Sequence, residues 1–197
     1  MRKCRSLVFG LAVLSSSLFG AGALLAAEAS TQAPIQAVTP DVRLLIDISG
    51  SMKQNDPQNL RIPALQLVTN LMPKGADAGV WAFGRYVNMM VPIAPVDEQW
   101  QQKATATAAK INSAGLFTNI GGVLEKASYG WSSVNPKEKR SLILLTDGMV
   151  DISKDAAVNA KERQRILNNI LPKLVKAKVI IHTIALSQNA DHDLLKT

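Results

Sequence analysis

Apolar residues along this chain fall into runs of two kinds, and the two kinds alternate. Val42 to Asp47, Gly79 to Phe83, Ser141 to Thr146 and Val179 to Leu186 are short and almost continuously apolar, the pattern of strands buried on both faces. Between them the apolar positions recur at helical spacing. Leu60, Ala64, Leu67, Val68 and Leu71 predict a helix over 60–71, with Pro63 in its first turn, where a missing N–H costs little. Glu98 to Ile111 predicts a second helix and Ile120 to Trp131 a third, with Thr118 or Asn119 as N-cap. Asp155 to Lys176 predicts a long one, with a kink at Pro172. Val87 to Val91 follows the second strand closely enough to be its hairpin partner, and Pro92 and Pro95 mark it as an edge. This alternation predicts an α/β fold: an open, mostly parallel, doubly wound sheet with one antiparallel edge strand and helices on both faces.

The start of the chain does not fit that pattern. Arg2, Lys3 and Arg5 precede an apolar run from Leu7 to Leu25, and Ala27-Glu28-Ala29 offers a small-x-small cleavage site. Residues 1–29 therefore read as a secretory signal, the alternative being an uncleaved membrane anchor. The single cysteine, Cys4, lies inside this segment, so the exported chain carries none and relies on its core rather than on disulfides. Residues 30–40 are small and polar and read as a linker, leaving 41–197 for one domain. Its opening helical turn at Asp191 to Thr197 leads to the expectation that a further strand and helix are missing. Without residues 1–29 the net charge falls from +7 to +5, and it is thinly spread, with small groups at Lys137, Lys139, Arg140 and at Lys173, Lys176, Lys178. No exposed aromatics are interleaved with these groups, which argues against a nucleic-acid surface.

Candidate chemistry gathers where strands end. Asp47-Ile48-Ser49-Gly50-Ser51 closes the first strand with one carboxylate and two hydroxyls at alternate positions. Asp147 closes the strand Leu142-Ile143-Leu144-Leu145-Thr146, and Thr118 opens the Gly-containing helix start Thr118-Asn119-Ile120-Gly121-Gly122. Ligands of open parallel sheets collect at the carboxyl ends of strands. If the two strands are neighbours, two carboxylates and three hydroxyls face one crevice. Such a set suits Mg²⁺ or Mn²⁺ and not Zn²⁺, which prefers His and Cys. Each residue also has a plainer role. Ser49 and Ser51 can cap a turn and helix, Thr118 can be an N-cap, and Asp147-Gly148 can be a turn dipeptide. His182 reads as a core or interface histidine, and Met149 and Val150 either rim the site or pack beneath a loop.

From Asp41 onward the chain resembles the von Willebrand factor type A family, on the Asp-x-Ser-x-Ser at Asp47, Ser49 and Ser51, then Thr118, then Asp147, in that order. The resemblance implies a metal-ion-dependent adhesion site, with Ser49, Ser51 and Thr118 on the metal and Asp47 and Asp147 acting directly or through water. It implies a monomeric, exported, non-enzymatic module that binds an acidic side chain of a partner protein. Membrane attachment would then come only from a missing C-terminal part or an uncleaved signal. Two alternatives accompany it: a metal-dependent phosphoryl-transfer or hydrolytic enzyme, and a purely structural or regulatory domain of a larger envelope protein. Against the enzyme, Ser49 occupies the place where aspartate-nucleophile phosphatases need a second acid.

Overall fold

A computed structural model describes residues 38–188 and 190–196; residues 1–29, read as a signal, and residues 30–37, read as linker, lie outside the described residues. The described chain runs β1 (Thr39–Asp47), α1 (Met52–Asn55), α2 (Arg61–Leu71), β2 (Asp77–Phe83), β3 (Val87–Pro95), α3 (Glu98–Ala108) and α4 (Ile120–Ala127). It continues through β4 (Glu138–Thr146), α5 (Ala156–Arg165), a π-helical turn (Ile166–Ile170), α6 (Leu171–Lys176), β5 (Ile180–Ala185) and α7 (His192–Leu195). β1 begins inside the segment read as linker, because Thr39 and Pro40 already pair with Glu138 and Lys139 of β4.

The five strands form one sheet in the order β3-β2-β1-β4-β5. β1 is parallel to both β2 and β4, β4 is parallel to β5, and only β3 runs antiparallel, at the edge. The chain first builds outward from β1 on one side and then crosses to β4 on the other. The point where strand order reverses therefore lies between β1 and β4, at their carboxyl ends.

Alternate residues of β1 serve the two faces. Leu45 joins Phe83, Leu142 and Leu144 beneath α4, the π-turn and α6, where Ile120, Ile166, Ile170 and Leu174 close the layer. Leu44 and Ile46 join Val80 and Val91 beneath α2 and α3, where Leu65, Trp100 and Ala104 cover them. Burial on both faces is why these strands read as unbroken apolar runs rather than alternating ones.

Two expectations are corrected, for α2 and β5. α2 presents a different face from the one its leucines suggested: Arg61, Leu65 and Thr69 are buried, while Leu60, Leu67 and Leu71 are more than half exposed. Arg61 decides the rotation, because its guanidinium lies within hydrogen-bond reach of Asp56, Asn59, Ser113 and the Asp47 carbonyl. Leu65 and Thr69, four and eight residues further, follow it inward. The long helix, expected to kink at Pro172, is interrupted just before it by the π-helical turn and resumes as α6. The π-turn one turn earlier lets the Leu171 N–H reach back to the Ile166 carbonyl, so the ladder widens ahead of the ring that would clash with it. β5 is not a buried strand: it is the last strand in the order, and Ile180 and Ile184 are both more than a third exposed. His182 is exposed on it as well, so it is not a core residue.

The small residues at the start of α4 have a packing cause. A Cβ on Gly121 would collide with the Glu162 carboxylate of α5, which is fixed by Arg165. That places a carboxylate against the helix N-terminus, where the macrodipole favours it. Gly121→Ala is expected to change unfolding free energy by less than about 1 kcal/mol in urea titration, because the Glu162 and Arg165 side-chain ends can swing aside while alanine favours the helix.

Candidate metal centre

Asp47 is the last residue of the central strand, with Phe83 beside it on β2, and has no solvent exposure. Its Oδ1 accepts the Ser49 N–H at 2.8 Å, so the chain turns back over its own carboxylate. Its Oδ2 accepts the Thr146 hydroxyl at 2.5 Å from β4. Asp147 follows that threonine and is 2 % exposed. The neighbouring strands thus deliver both acids to one crevice, as their position at the ends of apolar runs predicted.

The hydroxyls continue the cluster. Ser49 Oγ and Ser51 Oγ are 3.1 Å apart, and Ser51 Oγ donates to Asp147 Oδ1 at 3.1 Å. Ser51 occupies the N-cap position of α1 without a side-chain capping bond, so capping does not account for its hydroxyl. The N-cap of α4 is Asn119, whose side chain accepts the Gly122 N–H; Thr118 does not fill that place. Thr118 is instead buried and bridges to Asp151, and a Cβ placed on Gly148 would stand 3.5 Å from its Oγ1. Four of the five residues singled out from the sequence form one chain of contacts, and Thr118 lies beside the Asp147-Gly148 loop.

Three contributors were not foreseen. Thr146 holds Asp47 and also accepts the Gly148 N–H at 3.2 Å, tying the two acidic loops together. Asn55 donates to Asp147 Oδ2 at 2.9 Å; its spacing one helical turn after Ser51 is the signal that could have found it. Arg61, 1 % exposed, donates to the Asp47 carbonyl while its Nε pairs with Asp56 at 2.7 Å. A charged residue at the start of a helix gives no such hint in sequence. Met149 and Val150 divide the two roles: Met149 is exposed beside the site and Val150 is in the core.

The electrostatics follow from this burial. Loss of solvent pushes the Asp47 carboxyl up to about 6. The Thr146 and Ser49 hydrogen bonds pull it back, and the neighbouring Asp147 charge adds to the rise. Among the described residues neither acid is ion-paired with a lysine or arginine. No group of three or more His, Cys, Asp or Glu with metal-binding arrangement occurs among them either. Two buried acids without an ion-pair partner and three small hydroxyls form a donor set for a hard divalent cation.

The profile of the von Willebrand factor type A domain matches residues 41–197. No curated protein matches the sequence significantly. Among solved structures, a von Willebrand factor type A protein from Catenulispora acidiphila superposes with TM-score 0.59 at 18% identity, covering 81% of this chain and 36% of that one. Proximal thread matrix protein 1 from the mussel byssus, with a zinc-occupied MIDAS motif, gives TM-score 0.58 at 16% identity, covering 81% of this chain and 41% of that one. Manganese-loaded TRAP protein of Plasmodium vivax gives 0.53 at 17% identity, covering 82% and 61%. The chain thus spans less than two thirds of the length of each of these structures. At such identities the likeness establishes the fold, and the profile match over most of the chain establishes the lineage: the chain belongs to the von Willebrand factor type A domain family.

Proposed function

We propose that this chain is a divalent-metal-dependent protein-binding module in which Ser49, Ser51, Thr118, Asp47 and Asp147 hold Mg²⁺ or Mn²⁺. Domains of this family are in general adhesion and interaction modules rather than enzymes. The observation that carries the reading is the pair of buried carboxylates, neither of them ion-paired with a lysine or arginine among the described residues. A bound 2+ ion would supply the charge and Lewis acidity that these residues lack. The two acids just balance it, and a coordination position left to water would accept a third carboxylate from a partner. The chain's own residues orient the donors: Thr146 and the Ser49 N–H fix Asp47, and Asn55 and Ser51 fix Asp147.

Export to the periplasm, cell envelope or exterior belongs to the same reading and rests on the basic and apolar start of the sequence. Among the described residues no helix is long and apolar enough to cross a membrane. The phosphoryl-transfer alternative gains nothing from the geometry, since the group two residues after Asp47 is the Ser49 hydroxyl, set against Ser51, and not a second acid.

A pair of peptides differing only in one side chain tests the carboxylate step. A glutamate peptide is expected to bind the chain in millimolar Mg²⁺ and to lose binding in chelator, while its glutamine counterpart binds in neither. Equal binding of the two peptides, measured by fluorescence anisotropy, contradicts capture through a metal.

A further inference from the structure

Beside the metal crevice lies a groove lined by Ile48, Arg85, Tyr86, Asn112 and Leu116. It shares backbone with the site. Gly115 N–H donates to the Ile48 carbonyl at 2.8 Å, and Ile48 stands between Asp47 and Ser49. Gly115 pairs with Ser49 as an isolated bridge, and a Cβ on it would fall 2.6 Å from that same carbonyl, so the two loops meet with no side chain between them. Leu116 lies two residues before Thr118. A ligand bound at the crevice therefore has the groove as its immediate neighbour.

The groove is unlike ordinary surface in two respects. Tyr86 and Leu116 are 74 % and 65 % exposed, large apolar side chains placed on loops at the ligand-facing edge of the sheet. Its one charged lining residue is Arg85, and no acid lines it. The Arg85 guanidinium rests 4.8 Å from the centroid of the Phe117 ring, which orders it at small entropic cost to a ligand. The other side of the crevice differs, since the loop after Asp147 carries Asp151 and Asp155 against the single cation Lys154, a net negative set that disfavours a second acid.

We propose that this groove is the second half of the partner-binding surface and that it selects an acidic and apolar segment. One carboxylate of that segment would take the metal position, a neighbouring aliphatic or aromatic side chain would lie between Tyr86 and Leu116, and a second carboxylate would pair with Arg85. The proposal rests on the carboxylate-capture reading above and adds which flanking chemistry the partner carries. Charge complementarity directs it: with the metal balanced by two acids, Arg85 is the fixed charge left for the ligand on this side.

Labelled peptides in a glycine-serine background test it on the full chain. One probe carries a single glutamate. Two others add a leucine and a second glutamate, on its amino or its carboxyl side. In Mg²⁺ one of the extended probes is expected to bind about tenfold more tightly than the single-glutamate probe, the gain from burying one apolar side chain. Arg85→Ala and Leu116→Ala should each remove most of that gain while leaving metal-induced thermal stabilisation as in the parent chain. Equal affinity of all three probes, or a preference that survives both substitutions, overturns the proposal. A preference that persists in chelator overturns the coupling of groove to metal. If no probe binds although Mg²⁺ still raises the melting temperature, carboxylate capture itself fails and the groove proposal with it.

Discussion

Asp47→Asn is expected to act with opposite signs in the presence and absence of metal. In Mg²⁺ the variant should lose the whole metal-induced stabilisation, about 2.7 kcal/mol at a hundredfold excess over the dissociation constant. In chelator at neutral pH it should be more stable than the parent. Folding raises the Asp47 pKa from 3.8 to about 6, so the ionised group opposes folding. That opposition is absent well below pH 3.8, grows as pH rises through about 6, and is complete above it. At about 1.36 kcal/mol per unit, the shift corresponds to roughly 3 kcal/mol at neutral pH. Asparagine recovers only part, about 1–2 kcal/mol, because its amide N–H must face the Thr146 hydroxyl, which already accepts from Gly148. Urea unfolding with and without chelator, repeated near pH 4 where the chelator effect on the parent should fade, separates the contributions. A variant destabilised in both conditions would mean that Asp47 is a structural acid.

Arg61→Ala is expected to be the most damaging single change outside the crevice, at about 3–5 kcal/mol, the cost of stranding one member of a buried ion pair. Burial alone would raise the Asp56 pKa; the Arg61 side-chain bond and the backbone N–H groups of Leu60 and Arg61 more than reverse this, and it lies below its ordinary value. The pair's contribution is therefore present above about the unfolded value of 3.8 and lost as pH falls through the folded one. Arg61→Lys keeps the charge but not the fork. Arginine reaches Asp56, Asn59, Ser113 and the Asp47 carbonyl through three nitrogens, and one ammonium cannot span them. Lysine should consequently recover less than half of the loss in urea unfolding. Full recovery would show that charge, not bridging of the three loops, is what Arg61 contributes.

The residues that were legible in the sequence share one property: a local pattern determines their place. Asp47 and Asp147 each end an apolar run too short for a helix, and a strand so buried can release a polar side chain only at its end. The antiparallel edge was legible because Val87 follows Gly84 too closely for a crossover, and because two prolines exclude a central place. What was not legible depends on partners far along the chain. The face of α2 was misread because Leu60, Leu67 and Leu71 satisfy helical spacing as well as Leu65 does. The competing influence is the set of acceptors around Arg61, which come from 47, 56, 59 and 113. β5 reads like β1 in composition, yet neighbours on both sides come from topology and not from the run itself. Thr146 looked like a strand residue and is one, but its hydroxyl acts across to β1, a contact that only strand order reveals. The π-turn is the local answer to Pro172 in a helix whose apolar residues continue on both sides of it.

Glycine explains a smaller part of the same lesson. Gly115 sits in a loop and Gly121 in the first turn of α4, and each marks a place where another part of the chain comes too near for a Cβ. Neither approach is visible without the fold, although the presence of glycine before Thr118 and after Asn119 signals that something close is there.

Calorimetric titration of Mg²⁺ into the chelator-stripped chain is the most direct measurement of the central claim. The expected result is binding to a single site that Asp47→Asn and Asp147→Asn each remove, accompanied by a rise in melting temperature in the parent chain alone. No binding of Mg²⁺ or Mn²⁺ at millimolar concentration, or binding that both substitutions leave unchanged, would contradict it.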